Sequence, residues 1–327
     1  MRRTTVPLLA AAAAMTLLAA CGSNGSTATS TTSGSPSPAA TPTFAVTSEG
    51  PAPAVSGKAG ETPTLAATKG TPSDKLIIKS LADGEGRKIA KGDLVVTDFL
   101  VQKWGEDKPI GSTYAEGTPT SFPIGLGQVI PAWDKLVGTP VGSRVEMVVP
   151  PAAGFGDAGN QQAGIGAKDT LVFVFDVRGA YPADSKAKGT AGATPAAGLP
   201  TVKDGDKGPA ITVPKDAKAP TKVSSTRLIE GTGEQVKSGQ TIVVQYTGAL
   251  WDKGTVFDSS WQRGAPASFP IGKGAVIPGW DETLVGTHVG DRVLLVIPPD
   301  KGYRDQAQGA IPANSTLVFV VDIIDAL

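Results

Sequence analysis

One cysteine, one histidine and no excess of either charge set the first limits on this 327-residue chain. With Cys21 the sole thiol and His288 the sole imidazole, neither a disulfide framework, a His/Cys metal cluster nor a His-based triad can be assembled. Lys plus Arg and Asp plus Glu each total 30 with no block of like charge, so the basic surface that nucleic acid requires is missing. Aromatics are only 6% of the residues, which makes their clustering informative. No metal, cofactor or nucleic acid is expected.

What is present begins at the amino terminus. Arg2 and Arg3 precede an apolar stretch, Val6 to Leu17, that falls short of the ~20 residues needed to span a bilayer, and the pattern reads as an export signal over residues 1–20. It ends in Leu18-Ala19-Ala20-Cys21, which resembles the bacterial lipobox; the competing reading is an ordinary small-residue cleavage site. The resemblance implies lipidation of Cys21 and attachment to the extracytoplasmic face of the cell membrane. Residues 21–72 are rich in Ser, Thr, Pro and Ala, resemble the tethers of actinobacterial lipoproteins, and carry too few large apolar groups to offset the entropy of folding. A disordered tether is expected there.

The remainder is a duplication. SFPIGLGQVIPAWDKLVGTPVGSRVEMVVPP from Ser121 matches SFPIGKGAVIPGWDETLVGTHVGDRVLLVIPP from Ser268 with one residue fewer after the Trp-Asp pair, and Gly84 opens a segment paralleled at Gly231. The lead-in ETPTLAATKGTPSDKL likewise resembles GPAITVPKDAKAPTKV. Two domains are expected, at 73–180 and 222–327, with a linker at 181–221. In each, β-branched runs bounded by turn residues read as strands: Asp93 to Leu100, Arg144 to Val149 and Thr170 to Val177, then Thr241 to Thr247, Arg292 to Ile297 and Thr316 to Ile324. Pro278 to Val285, Pro first and Gly286 just beyond, reads as a short helix, with a counterpart at Pro131 to Val137. Several short, closely spaced strands suggest one antiparallel sheet, which must bury its apolar face by wrapping around the one short helix, giving an α+β fold.

The second copy carries VQYTGALWDKGTVFDSS, VIPGWDETLVG, GDRVLLVIPPDKGY and AIPANSTLVFVVDI after the opening GTGEQVKSGQ. In this order these motifs resemble the FKBP-type peptidyl-prolyl cis-trans isomerases over nearly the whole copy. The resemblance implies two FKBP-like domains and, in the second, catalytic positions at Tyr246, Phe257, Asp258, Ile277, Trp280, Tyr303 and Phe319, with substrate walls at Phe269, Val276 and Ile311. Trp280 would be the floor under the proline ring, the Ile277 N–H and Tyr303 hydroxyl would hold substrate carbonyls, and Asp258 would sit beside the twisting amide. Ala267 stands where the family commonly has an aromatic, which predicts a wider rim. Taken singly, Trp280 and Phe319 read as core, Asp258 as a turn former and Tyr303 as a rim residue; their joint order carries the assignment. Gly272-Lys273-Gly274 lacks the ending and context of a phosphate loop, and His288 reads as an exposed turn residue.

The first copy keeps Phe122, Val129, Ile130, Trp133, Ile165 and Phe173 but has Phe99, Ile110, Gly111 and Phe155 where the second has Tyr246, Phe257, Asp258 and Tyr303. The expectation is a degenerate pocket in the first domain and isomerase activity on X-Pro bonds of exported proteins chiefly in the second. The implied partners are proline-containing unfolded or exported polypeptides, the membrane through its lipid anchor, and macrolides of the tacrolimus type. The competing class is a non-catalytic chaperone or peptide-binding lipoprotein.

Overall fold

The computed structural model describes residues 44–205 and 207–327, so Cys21, the export signal and the first part of the expected tether lie outside the described residues. The chain divides into two compact units. Of the described residues, one holds 44–91 with Thr97–Val177, the other Gly92–Val96 with Arg178–Leu327.

In the first copy the elements run β1 (Val46–Thr47), β2 (Val55–Ser56), β3 (Thr64–Leu65), β4 (Leu76–Ala82), β5 (Leu94–Lys103), β6 (Pro109–Ser112), α1 (Thr113–Glu116), β7 (Thr120–Pro123), β8 (Arg144–Val149) and β9 (Leu171–Tyr181). The sheet order is β1-β4-β8-β9-β5-β6 with β7 beside β5, while β2 and β3 form a separate hairpin. In the second copy β10 (Gly189–Ala191), β11 (Thr201–Lys203), β12 (Ala210–Thr212), β13 (Ser224–Gly231), β14 (Thr241–Leu250), β15 (Val256–Ser259), α2 (Ser260–Arg263), β16 (Ala267–Pro270), α3 (Pro278–Leu284), β17 (Arg292–Ile297) and β18 (Leu317–Ala326) repeat the plan. The order is β10-β13-β17-β18-β14-β15 with β16 beside β14; the copies differ at the first edge, where β1 joins β4 parallel, against the antiparallel expectation, and β10 joins β13 antiparallel. The strands thus fall where the β-branched runs predict.

Successive side chains of a strand point to opposite faces. Val293, Leu295 and Ile297 of β17 and Leu317, Phe319, Val321 and Ile323 of β18 enter one core, which also holds Trp280 of α3. Leu294, Val296, Val318 and Val320 point the other way and are just as buried. An antiparallel sheet commonly leaves one face to water. Here the outer face is covered by the segment expected to be a linker, through Leu199, Val202, Ile211, Val213, Ala217 and Ala219. The first copy does the same: Ala52, Val55 and Leu65, expected in the tether, pack on Leu100, Val148, Val172 and Val174. From residue 44 onward the expected tether is therefore ordered, adding edge strand β1 and an outer cover, and the described residues of 181–221 end β9, add edge strand β10 and supply a second cover. The physical reason lies in the strands, which are apolar on both faces and need two covers.

A buried ion pair fixes each cover. Arg144 forks onto Asp176 at 2.7 and 2.6 Å and donates to the carbonyls of Gly57 and Glu61 in the cover. The cover's Gly60 N–H and the Tyr114 hydroxyl donate to the same Asp176 carboxylate. In the second copy Arg292 forks onto Asp322 at 2.6 and 2.8 Å and reaches Asp204, while the Ala187 N–H caps Asp322 at 3.0 Å. A buried arginine fork is tolerable only when its donors and lone pairs are satisfied, and in both copies the cover supplies the remaining partners.

The helix differs between the copies. The second has α3, starting on Pro278 as expected, with the Asp281 N–H reaching back to the Ile277 carbonyl. In the first, the helix expected at Pro131 to Val137 is a 3-10 turn, Trp133–Leu136, closed by bonds such as Lys135 N–H to the Ala132 carbonyl. The missing residue after Trp-Asp accounts for this. The tighter winding lets a shorter segment join the tryptophan to the following glycine.

Candidate functional site

In the second copy the indole of Trp280, 1% exposed, is ringed by three aromatic edges. Tyr246 meets it at 5.5 Å and 89°, Phe269 at 5.3 Å and 80°, and Phe319 at 5.3 Å and 82° between ring centroids and planes. These T-shaped contacts pin the indole as a flat floor. The helix can lie this close to the sheet because residue 279 is glycine: a Cβ there would come within 2.6 Å of Ile297. Phe257 stands half-buried at the side, edge-on to Phe319 at 5.5 Å. It fits because β14 carries Gly248 beneath it, where a Cβ would lie 2.7 Å from the Phe257 ring. Val276, Ile277 and Ile311 complete the walls.

The polar groups gather at one rim. The Tyr246 hydroxyl donates to one oxygen of Asp258, and Arg263 donates to the other. Arg263 also donates to the Tyr246 hydroxyl at 2.9 Å and lays its guanidinium 5.3 Å from the Tyr246 ring centre. Arg263 was not singled out by the sequence reading; its only signal was its place one turn of chain after Asp258. Burial, reinforced by the Asp258 charge, pushes the Tyr303 hydroxyl up to about 12, and burial pushes Tyr246 higher still. Both remain neutral donors at ordinary pH. Among the described residues, the Ile277 N–H at the start of α3 has no backbone acceptor. The structure thus brings together all ten positions expected in this pocket. The result is a buried aromatic cluster with one charged, pre-paired rim.

The first copy keeps the cluster and fills it differently. Trp133 meets Phe122 at 4.7 Å, Phe173 at 5.5 Å and Phe99 at 5.7 Å. Phe175, absent from the sequence-derived site, meets it at 5.1 Å and stacks on Phe173; the second copy has Val321 there. Val129, Ile130 and Ile165 are buried as expected, and Ile110, Gly111 and Phe155 lie half-buried where the second copy has Phe257, Asp258 and Tyr303. Glu116 takes the place of Arg263 and is exposed, so no hydroxyl, carboxylate and guanidinium meet at this rim.

Each copy is thus an α+β module whose sheet packs an aromatic cluster around a buried tryptophan. Residues 85–178 and 232–324 match the family described as FKBP-type peptidyl-prolyl cis-trans isomerase, and the chain belongs to that family. FK506-binding protein 2 of Yarrowia lipolytica is 48% identical over 92 residues, 28% of this chain and 63% of that protein. An FK506-binding protein of Streptomyces anulatus is 42% identical over 97 residues, 29% of this chain and 78% of the relative. The peptidyl-prolyl cis-trans isomerase FKBP9 of Rattus norvegicus is 32% identical over 203 residues, covering 62% of this chain and 29% of the rat protein. The chain therefore spans less than two thirds of the yeast relative and under a third of the rat one.

Proposed function

We propose that this protein is a peptidyl-prolyl cis-trans isomerase whose turnover resides chiefly in the second module, acting on exported proteins at the outer face of the cell membrane, to which Cys21 anchors it. The observation that carries this reading is the Tyr246–Asp258–Arg263 rim over the Trp280 floor.

Resonance across C–N sets a barrier of ~18–20 kcal/mol to rotation, and the twisted amide is less polar than the planar one. A bowl that excludes water and grips the proline ring favours the twisted form without proton transfer. Trp280 seats the ring, the Ile277 N–H and the Tyr303 hydroxyl hold the flanking carbonyls, and Asp258, its position fixed by Arg263, faces the rotating amide. Bringing relaxation from ~10–100 s to milliseconds requires roughly 5–7 kcal/mol. Shape and a few hydrogen bonds can supply that. The names of the fungal and Streptomyces relatives support a macrolide of the FK506 type as a competing ligand of the same bowl.

A second reading applies to the first module, where an intact Trp133 floor lacks its polar rim: it holds apolar or proline-bearing chains without turning them over. Proline-limited refolding of a client, with the full chain as catalyst and a tacrolimus-type macrolide as competitor, tests the activity. No acceleration of refolding refutes the isomerase reading. Localisation is tested with Cys21→Ala, which should abolish lipid labelling and release the protein; a variant that stays membrane-bound refutes the anchor.

A further inference from the structure

At Tyr246 the second module's sheet has a gap. The edge strand β16 pairs with β14 as far as Val244, and β15 takes over only from Thr247, so neither edge strand reaches the Tyr246 N–H. A buried backbone donor left there would be costly. It is taken instead by the Ser260 hydroxyl at 2.7 Å. That hydroxyl donates to the side-chain carbonyl of Gln245 at 2.5 Å, and the Gln245 amide donates at 2.7 Å to the Ala183 carbonyl in the cover. Gln245 and Ser260 are both fully buried.

Two members of this chain of bonds, Tyr246 and Ser260, carry the two arms of the rim. Tyr246 carries the hydroxyl that meets Asp258, and Ser260 begins α2, whose last residue is Arg263. The α2 turn is only four residues long, so its direction depends on what holds its first residue. The first module has the same device in other residues: the Phe99 N–H donates to Thr113 at 2.9 Å, and Thr113 to Asp98 at 3.0 Å. There it holds an apolar wall.

We propose that Ser260 and Gln245 are positioning residues of the isomerase site, setting Tyr246 and Arg263 around Asp258 and tying the rim to the cover at Ala183. The proposal rests on the isomerase reading of that site. Neither residue touches substrate; each acts through Tyr246 and Arg263.

The test uses the full chain with Ser260→Ala, Ser260→Thr and Gln245→Met, measuring kcat and KM on a Leu-Pro peptide together with the thermal midpoint. Ser260→Ala and Gln245→Met should lower kcat by about fivefold or more, as expected for a displaced hydrogen-bonding group, and change KM by less than about twofold. Ser260→Thr, which keeps the hydroxyl as Thr113 does, should restore wild-type kcat. The Arg263 side-chain N–H resonance should move toward that of a free guanidinium in Ser260→Ala and return in Ser260→Thr. An unchanged kcat in Ser260→Ala, or a Ser260→Thr variant as impaired as Ser260→Ala, overturns the proposal. If the wild-type chain turns nothing over, the isomerase reading fails, and the Arg263 resonance still decides whether Ser260 positions it.

Discussion

Above Trp280 stand a phenol, a carboxylate and a guanidinium joined to one another; above Trp133 the same places hold Phe99, Gly111 and Glu116, which make no such set. The replacements are mutually consistent. Where the second copy needs Gly248 to admit Phe257, the first has Val101 with the smaller Ile110, and its aromatic bulk has moved to Phe175 beneath the indole. On the opposite face of the sheet the central fork is kept, Arg144–Asp176 and Arg292–Asp322, although its outer partners are the Gly57 and Glu61 carbonyls in one copy and the Asp204 carboxylate in the other. The scaffold has been retained on one face while the chemistry was exchanged on the other.

The largest expected effect breaks this contrast on its functional side. Asp258→Gly combined with Tyr303→Phe copies the first pocket into the second; removing two hydrogen-bonding groups at ~1–3 kcal/mol each should reduce turnover of a Leu-Pro peptide by roughly 30-fold to 10⁴-fold. The thermal midpoint should barely move, since both residues lie half-buried at the rim. Full activity in this double variant would show that Asp258 and Tyr303 do not carry turnover.

The shared face is probed by Arg144→Met, which strands Asp176 in a buried site and should cost about 3–5 kcal/mol in chemical denaturation. Adding Asp176→Leu should recover most of that loss, and Arg292→Met with Asp322→Leu should behave alike. A copy that tolerates the single change would show that its cover is held by other contacts.

A smaller effect sharpens the one break in that face. Glu146 of β8, 2% exposed, sits where the second copy has Leu294, and one of its oxygens has no partner among the described residues. Burial pushes its carboxyl up to about 7, with Lys79 on the neighbouring strand pulling the other way. Because the folded state holds this proton more tightly than the ordinary value of 4.5, the first unit should lose stability as pH rises from about 4.5 through 7. The full penalty, on the order of 3 kcal/mol, remains above that range. Glu146→Leu should therefore raise the midpoint markedly at pH 8 and hardly at pH 4.5. A gain that does not depend on pH would contradict the assignment.

The smallest expected effect is none. With both pocket tyrosines held neutral well above their working range, kcat/KM of the second module should be flat between pH 6 and 9. A sigmoidal step in that window would mean that a titrating group takes part in turnover.

Much of this was legible in the sequence because duplication repeats its own evidence: strands, the Trp floor and the lost rim of the first copy all follow from setting the copies side by side. The 3-10 turn at Trp133–Leu136 was not, because the same Trp-Asp and Leu-Val-Gly flank it and only the count between them differs. The covers were hidden by their composition. Val55, Leu65, Val202 and Ile211 are isolated apolar residues among Ser, Thr, Pro and Gly, and no periodicity marks them. Their signature lay in their targets, since RVLLVI and LVFVVDI are apolar at odd and even positions alike and so announce a sheet buried on both sides. Arg263 was illegible because its partner Tyr246 is distant in sequence and the bond depends on the one-turn α2.

The covers also fix an order of assembly. Gly57 and Glu61 lie 87 and 83 residues before the arginine that receives them, and Asp204 lies 88 before Arg292. Loops of that length close slowly and gain nothing until the receiving strands are in place. Each cover precedes its sheet in the chain, and it is expected to seat after the strands and to lift off before the sheet melts. Its amides should exchange with deuterium ahead of those of β8, β9, β17 and β18, leaving for that interval a bare apolar sheet face on each module.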